Sequence, residues 1–321
     1  MSSRVLWWIK TIIFLIVVLL LYRLIQSKIE HFDEIEQRFK TLFLPKNIFL
    51  LIIIFLLTPI NWAFEAWKWQ KLALKVEKIS FVEAYKGVLI GLTFSTATPM
   101  MIGDYAGKVL MLKTDKRLQS IGAILLGNAI QMYVSLLFGT ISYLFFVIWA
   151  NPNPMFLHIC IVGFLIACMV FGIFLSLNLP NIKAFLSKNK YLEYLKKYLD
   201  VLENYTLLEL KKLFIIALSR YVIFSIQFAL MFKVFQVNLP IYVLFFGIGI
   251  IFLTKTLISI LNTLGDLSIR ELTSIYYFGF FGANIAAVSS ATFMIWLVNV
   301  LFPMLIGSVF ILQLKFTPKK H

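Results

Sequence analysis

Two stretches of this chain set charged side chains at helical spacing inside otherwise apolar sequence. The first is GVLIGLTFSTATPMMIGDYAGK, residues 87 to 108, which carries Asp104 and Lys108. The second is GIGIIFLTKTLISILNTLGDLSIRE, residues 247 to 271, which carries Lys255, Asp266, Arg270 and Glu271. Asp104 and Lys108, like Asp266 and Arg270, stand at i and i+4 and so share one face of a helix. Two chemistries suit that spacing. Each pair can be an internal ion pair that staples its segment, or each cation can hold an anion. Gly103 and Gly265 free a turn, and the helix that follows offers unsatisfied N–H groups and a positive dipole end. Lys108 and Arg270 lie one turn in, suited to a phosphate, with arginine able to grip in bidentate fashion. Asp104 and Asp266 would then cap the helix starts when the site is empty, or take up protons. Lys255 has no carboxylate at i±3 or i±4, so it needs a partner from another element or must be neutral.

The expected anion site therefore comprises Asp104, Lys108, Lys255, Asp266, Arg270 and Glu271. Thr93, Thr96, Thr98, Gly103, Thr254, Asn262 and Gly265 are expected to line it. Other charged groups have simpler readings. Arg220 is expected to be structural, anchored by helix carbonyls or Tyr221. Glu65, beside Trp62, Trp67 and Trp69, is expected at the interface within an aromatic belt. His31, His158 and His321 show no ligand spacing. Cys160 and Cys168 match no metal motif and stand too far apart for a disulfide within one helix. No metal or cofactor is expected.

The elements that hold these groups are membrane segments. The chain has 321 residues, 61% of them hydrophobic and only 14% charged, and a mean hydropathy of +0.90. Those values define an integral membrane protein and leave no room for a soluble catalytic domain. The net charge of +15 follows topology and forms no groove-reading pattern, so nucleic acid is not an expected partner. Full spans are predicted at 6–26, 48–66, 118–149, 155–178, 213–235 and 283–313. The first lacks a cleavage site and is expected to be retained. Pro59 is expected to kink the second. In 181–212, Leu192, Leu195, Leu199 and Leu202 share one face, which predicts an interfacial helix on an anionic leaflet.

The two broken segments fit a different geometry. Gly87 to Thr98 is 12 residues, about 18 Å of helix against a hydrocarbon core of about 30 Å. That predicts a re-entrant hairpin reaching the midplane. The apolar run 241–261 is 21 residues, about 31 Å, so 240–281 fits either a hairpin or two crossings. With both termini cytoplasmic, 21 of the 30 Lys and Arg residues fall on the inner side, counting Lys68 and Lys108 as loop residues. This is a strong positive-inside asymmetry and predicts a multi-pass protein of the cell membrane.

The same order of elements occurs twice. Gly265-Asp266-x-x-x-Arg270 repeats Gly103-Asp104-x-x-x-Lys108 after 162 residues, and Leu253-Thr254 repeats Leu92-Thr93 after 161. The expected organisation is one membrane domain over 1–321. It comprises an N-terminal span and connector (1–47), repeat one (48–150), a linking span and amphipathic helix (151–211) and repeat two (212–313). By the charge topology the second unit is inverted, the plan of secondary transporters whose broken helices meet near the midplane. The fold class expected is an all-α polytopic membrane protein with about six full spans and two re-entrant hairpins in an inverted-topology internal repeat.

Three motifs carry a family resemblance: N-W-A-F-E-A-W-K-W-Q-K-L (61–72), T-P-M-M-I-G-D-Y-A-G-K (98–108) and L-G-D-L-S-I-R-E (264–271). They resemble the membrane domain of the lysylphosphatidylglycerol synthase/flippase family over roughly 45 to 313. Arg270 and Glu271 fall in the places of that family's Arg-Glu segment. The chain departs in lacking a Pro-Gly-Gly lead-in and in having Lys108 where arginine is common. The resemblance implies a domain with re-entrant helices that moves or handles anionic lipids. In two-part members a soluble aminoacyl-transferase domain follows; none is expected here after the last span. The favoured reading is a flippase-like transporter for a phospholipid or polyprenyl-phosphate-linked head group, with membrane lipids as its ligands. One alternative is a non-catalytic partner of a glycosyltransferase or lipid-modifying enzyme. The other, less favoured, is an intramembrane lipid-phosphate enzyme using Asp104 and Asp266 as acid and base, without any nucleophile constellation.

Overall fold

A computed structural model describes residues 40, 42–96, 98, 102–114, 119–178, 181, 184, 198–258 and 263–313. Regular structure among the described residues is helical throughout, with no strand. Helix α1 (Pro45–Ala73) leads to α2 (Phe81–Thr96), α3 (Ile102–Leu110) and α4 (Ser120–Ala150). Helix α5 (Met155–Leu177) follows, and a 3₁₀ turn (Asp200–Asn204) precedes α6 (Leu207–Val234). Then come α7 (Ile241–Leu257), α8 (Thr263–Phe280), α9 (Ile285–Trp296), a π-helical turn (Leu297–Leu301) and α10 (Phe302–Gln313).

Local chemistry sets the ends of these helices. Pro45 occupies the first turn of α1, where its missing N–H costs nothing. Ser80 and Glu83 exchange hydrogen bonds ahead of α2 (2.9 and 3.2 Å), and Thr206 and Glu209 form the equivalent box ahead of α6 (2.8 and 3.3 Å). Asn151 ends α4 in the left-handed conformation, φ 42°. Helix α1 runs unbroken through Pro59.

Five of the six predicted spans are present as helices long and apolar enough to cross a membrane: α1, α4, α5, α6 and the continuous run Ile285–Gln313. The predicted span 6–26 lies outside the described residues. Helix α7 ends at Leu257, so its 17 residues give about 26 Å, shorter than the 21-residue apolar run implied. Together α7 and α8 pack antiparallel, since a Cβ on Gly247 would strike Phe278 while Thr254 bonds Thr273 at 3.0 Å.

Helices α1–α4 and α6–α10 run through one order: span, short helix, returning helix, span. The packing between them is reciprocal. Helices α1 and α6 pair with each other, bonding Asn47 to Val234, Thr58 to Gln227 and Glu65 to Arg220. Partner numbers fall as the first rise, so α1 and α6 are antiparallel. Helix α2 packs on α10, with Thr93 bonded to the Met304 carbonyl at 2.9 Å. Its counterpart α7 packs on α4, where Gly139 faces Leu253 and Gly249 faces Ser142. Each short helix therefore leans on the last span of the opposite half.

Helices α2 and α3 meet backbone to backbone. A Cβ on Gly107 would lie 2.1 Å from the Gly91 nitrogen, and one on Gly103 would lie 2.1 Å from the Phe94 carbonyl carbon. Only glycine permits that approach. Helix α5 is the opposite case: it packs chiefly on α4 and exposes most of its surface, and its Gly163 has nothing within 4 Å.

The predicted interfacial helix at 181–212 lies mostly outside the described residues, and its described end is not free on a leaflet. Residues 198–205 are clamped to the bundle. Val201 and Tyr205 are buried, Tyr205 donates to the Leu72 carbonyl at 2.7 Å, and Gly122 lies against the Tyr198 carbonyl.

Gly107→Ala is expected to destabilise the protein by about 1–3 kcal/mol through overpacking, whereas Gly163→Ala stays within about 0.5 kcal/mol. Thermal unfolding of the two purified variants in detergent checks the contrast.

Candidate functional site

Helix α1 brings Glu65 and Lys68 to one face, three residues apart, in the WAFEAWKW stretch. Helix α3 brings Asp104 and Lys108, and α6 brings Arg220. The Glu65 carboxylate receives all three cations: Lys68 at 2.7 Å, Lys108 at 3.1 Å and Arg220 at 3.3 Å. It is only 5% exposed. The predicted interfacial position of Glu65 is thus corrected, because its neighbours turn it into the core between α1 and α6. Lys68 is likewise no loop lysine. It is fully buried, and its Nζ also donates to the Gln131 side chain of α4 at 3.4 Å. Arg220 is held by Glu65 and by the Trp62 ring, 5.1 Å from its guanidinium carbon, instead of by carbonyls or Tyr221. Tyr221 stacks on Phe138.

The predicted pairs both form. Lys108 meets Asp104 at 2.9 Å, and Arg270 meets Asp266 at 2.9 Å. Asp104 does not cap α3. It sits in the first turn and also accepts from Asn128 of α4 at 3.4 Å, while Thr98 takes the Gly103 N–H at 2.9 Å. Lys255 finds the partner from another element that its sequence position demands, facing Asp266 across the α7–α8 hairpin at 3.7 Å. Arg270 is 1% exposed, lies 5.3 Å from the centre of the Phe224 ring, and leaves Nε and Nη1 without a hydrogen-bond partner. Helix α6 touches both groups, with Arg220 on Glu65 and Phe224, one turn on, against the Arg270 guanidinium.

Not every expected residue joins them. Glu271 turns away and accepts from Ser289 of α9. Thr93 bridges α2 to α10, and Thr254 bridges α7 to α8. Gly265 lies in the first turn of α8. Asn262 and the Thr96 side chain lie outside the described residues. Glu65, Lys68, Arg220, Asn128 and Gln131 complete the cluster and were not expected in it. Glu65 and Lys68 carried a readable signal, an i, i+3 charge pair inside a predicted span. For Arg220, Asn128 and Gln131 no local pattern exists, since their partners are at least 24 residues away.

The described cluster holds five cations, Lys68, Lys108, Arg220, Lys255 and Arg270, against three carboxylates, Glu65, Asp104 and Asp266. Formally it carries +2. Burying that many charges is expensive unless each is paired, and two cations exceed the carboxylates. Such a centre suits an anion, and Arg270 keeps two separate donors, Nε and Nη1, without a hydrogen-bond partner.

A helical polytopic membrane protein with a charged centre shared between two halves is the class this geometry defines. More particularly, the chain belongs to the family described as the lysylphosphatidylglycerol synthase TM region, whose model matches residues 7–307. That membership makes it a lipid-related membrane protein, as the three motifs implied. Neither the curated proteins nor the solved structures compared with it give a match.

Removing Glu65 strands the buried cations Lys68 and Arg220, while Lys108 keeps Asp104. Glu65→Ala is therefore expected to cost about 3–5 kcal/mol, well beyond the cost of Asp104→Ala at its partly exposed position. Unfolding midpoints of the two variants, measured side by side, test this ranking.

Proposed function

We propose that the protein moves an anionic lipid head group, of a phospholipid or a polyprenyl-phosphate-linked lipid, across the membrane. The observation that carries this reading is the formal +2 of the buried cluster. The phosphate would take the surplus charge of Lys108, Lys255 and Arg270 while the acyl chains stay in the bilayer. Family membership supports a lipid ligand. The reciprocal packing of the two halves supports movement by rocking one against the other, as in other transporters built from paired units. The lipid leaves chemically unchanged in this reading, and the basic ends of the helices face the cytoplasm of a cell membrane.

Arg270→Ala and Lys108→Ala are expected to abolish head-group translocation in proteoliposomes while eluting as folded protein, because Asp266 keeps Lys255 and Glu65 keeps Lys68 and Arg220. Undiminished transport in both variants would remove the role given to these residues. Incubation of the purified protein with radiolabelled phospholipid, followed by chromatography, is expected to return the starting lipid alone. A new covalent product would favour an intramembrane enzyme instead.

A further inference from the structure

The three lysines of the charged centre are not held alike. Lys68 lies 2.7 Å from Glu65 and Lys108 lies 2.9 Å from Asp104, with side chains 2% and 4% exposed. Lys255 is 3.7 Å from Asp266 and 29% exposed. At that distance the contact is an ion pair without a hydrogen bond, and the Asp266 Oδ1 that faces it has no hydrogen-bond partner. The other oxygen of Asp266 already has Arg270 at 2.9 Å, so the carboxylate does not depend on Lys255 for a counter-charge. Among the helices packed on α7, α8 supplies Asp266 and Arg270, α6 carries Arg220 at mid-length, and α4 has no Asp, Glu, Lys, Arg or His. The neighbouring tyrosines, Tyr143 and Tyr221, pack with Leu253 and Phe252. Of the three lysines, Lys255 has the weakest hold on its charge.

The formal +2 of the cluster sets a condition on any cycle in which an anion comes and goes. A phosphodiester brings one negative charge and leaves the loaded centre at +1. An emptied centre would return to +2, and unmatched charge is what a low-dielectric interior penalises most. The arginines cannot relieve it, because a guanidinium keeps its proton in proteins. A lysine can, since its amine sheds a proton where burial disfavours the charge. Loss of one proton from Lys255 brings the empty centre to +1 and matches the loaded one. Both forms then carry the same charge when one half rocks against the other.

We propose that Lys255 carries a proton together with the head group, so that the protein is a proton-coupled lipid transporter. The inference rests on the proposed head-group site and adds its driving force. The Lys255 Nζ takes a proton from water on the side where the lipid enters and holds it as an ammonium while the phosphodiester is bound. It returns the proton to water on the side where the lipid leaves. One proton and one negative charge move together, so each turnover is electrically neutral. The lipid accumulates in the leaflet that faces the more alkaline solution.

Two measurements on the full chain test this. The first uses lightly buffered detergent at neutral pH with a pH-indicator dye. Short-chain phosphatidylglycerol and a polyprenyl phosphoglucose, each with a single phosphodiester charge, are expected to cause uptake of about one proton per lipid bound. The second uses proteoliposomes with tail-labelled phosphatidylglycerol and a clamped membrane potential. A pH difference of about one unit is expected to shift the leaflet ratio about tenfold toward the alkaline side, the factor that one pH unit represents for one proton. Lys255→Arg keeps a charge beside Asp266 but cannot release its proton, and Lys255→Met has none to release. In both, proton uptake per bound lipid is expected to vanish. Binding to the wild-type protein without proton uptake overturns the coupling, as does lipid movement whose leaflet ratio ignores the pH difference. Full uptake in either variant removes Lys255 as the carrier. The wild-type measurements need no variant to fold. Failure of both lipids to bind the wild-type protein overturns the head-group site itself, an outcome distinct from binding without protons.

Discussion

One carboxylate ties the structure together. Glu65 is buried among Lys68, Lys108 and Arg220, drawn from its own helix, from α3 and from α6. In a low-dielectric interior an unpaired cation is costly, and the insertion cost of each charge is met only if the carboxylate stays in reach of all three. The requirement fixes the depth of α3 relative to α1 and the register of the antiparallel α1–α6 pair. It also ties the halves together, because Arg220 stands on α6 one turn from Phe224, which faces Arg270. Hydrophobic packing alone is weakly directional between apolar helices in lipid. The polar cluster supplies the register that packing leaves open.

The two halves contribute unequally to the centre. The α2–α3 pair is fused along Gly91, Gly103 and Gly107, so Asp104 and Lys108 ride on a stiff element. The α7–α8 pair is joined by larger side chains, Phe278 and Tyr277 against Gly247, and α7 is gripped chiefly by α4 through Gly139 and Gly249. Helical order is thus repeated while the means of attachment differs. Arg270, with open donors, sits on the half whose returning helix is less tightly zipped.

Much of this was legible in the residues themselves. Spans announced themselves by length and hydropathy; of the five that can be compared, three match their predicted ends within two residues, while α1 runs seven residues past its predicted end and α6 starts six before its predicted start. The pairs Asp104–Lys108 and Asp266–Arg270 were legible because i, i+4 geometry is local. The lack of a local partner for Lys255 pointed beyond its own helix or to a neutral amine, and the structure supplies Asp266. Glu65 misled because tryptophan neighbours are the usual mark of an interface, and a single buried glutamate looks the same in sequence as an interfacial one. Its burial depends on cations 43 and 155 residues away. Lys68 misled for the same reason, near the end of a long helix among true loop lysines.

The crossed packing of short helices on opposite spans bears on how the chain is made. When α1 to α4 have left the ribosome, α2 still lacks α10, α1 lacks α6, and Glu65 lacks Arg220. Glu65 and Asp104 already balance Lys68 and Lys108 at that point, but the faces of α1 and α2 stay uncovered until α6 and α10 are inserted. Assembly is consequently a closing event late in synthesis, and the arrival of Arg220 on α6 is the step at which Glu65 acquires its full set of counter-charges.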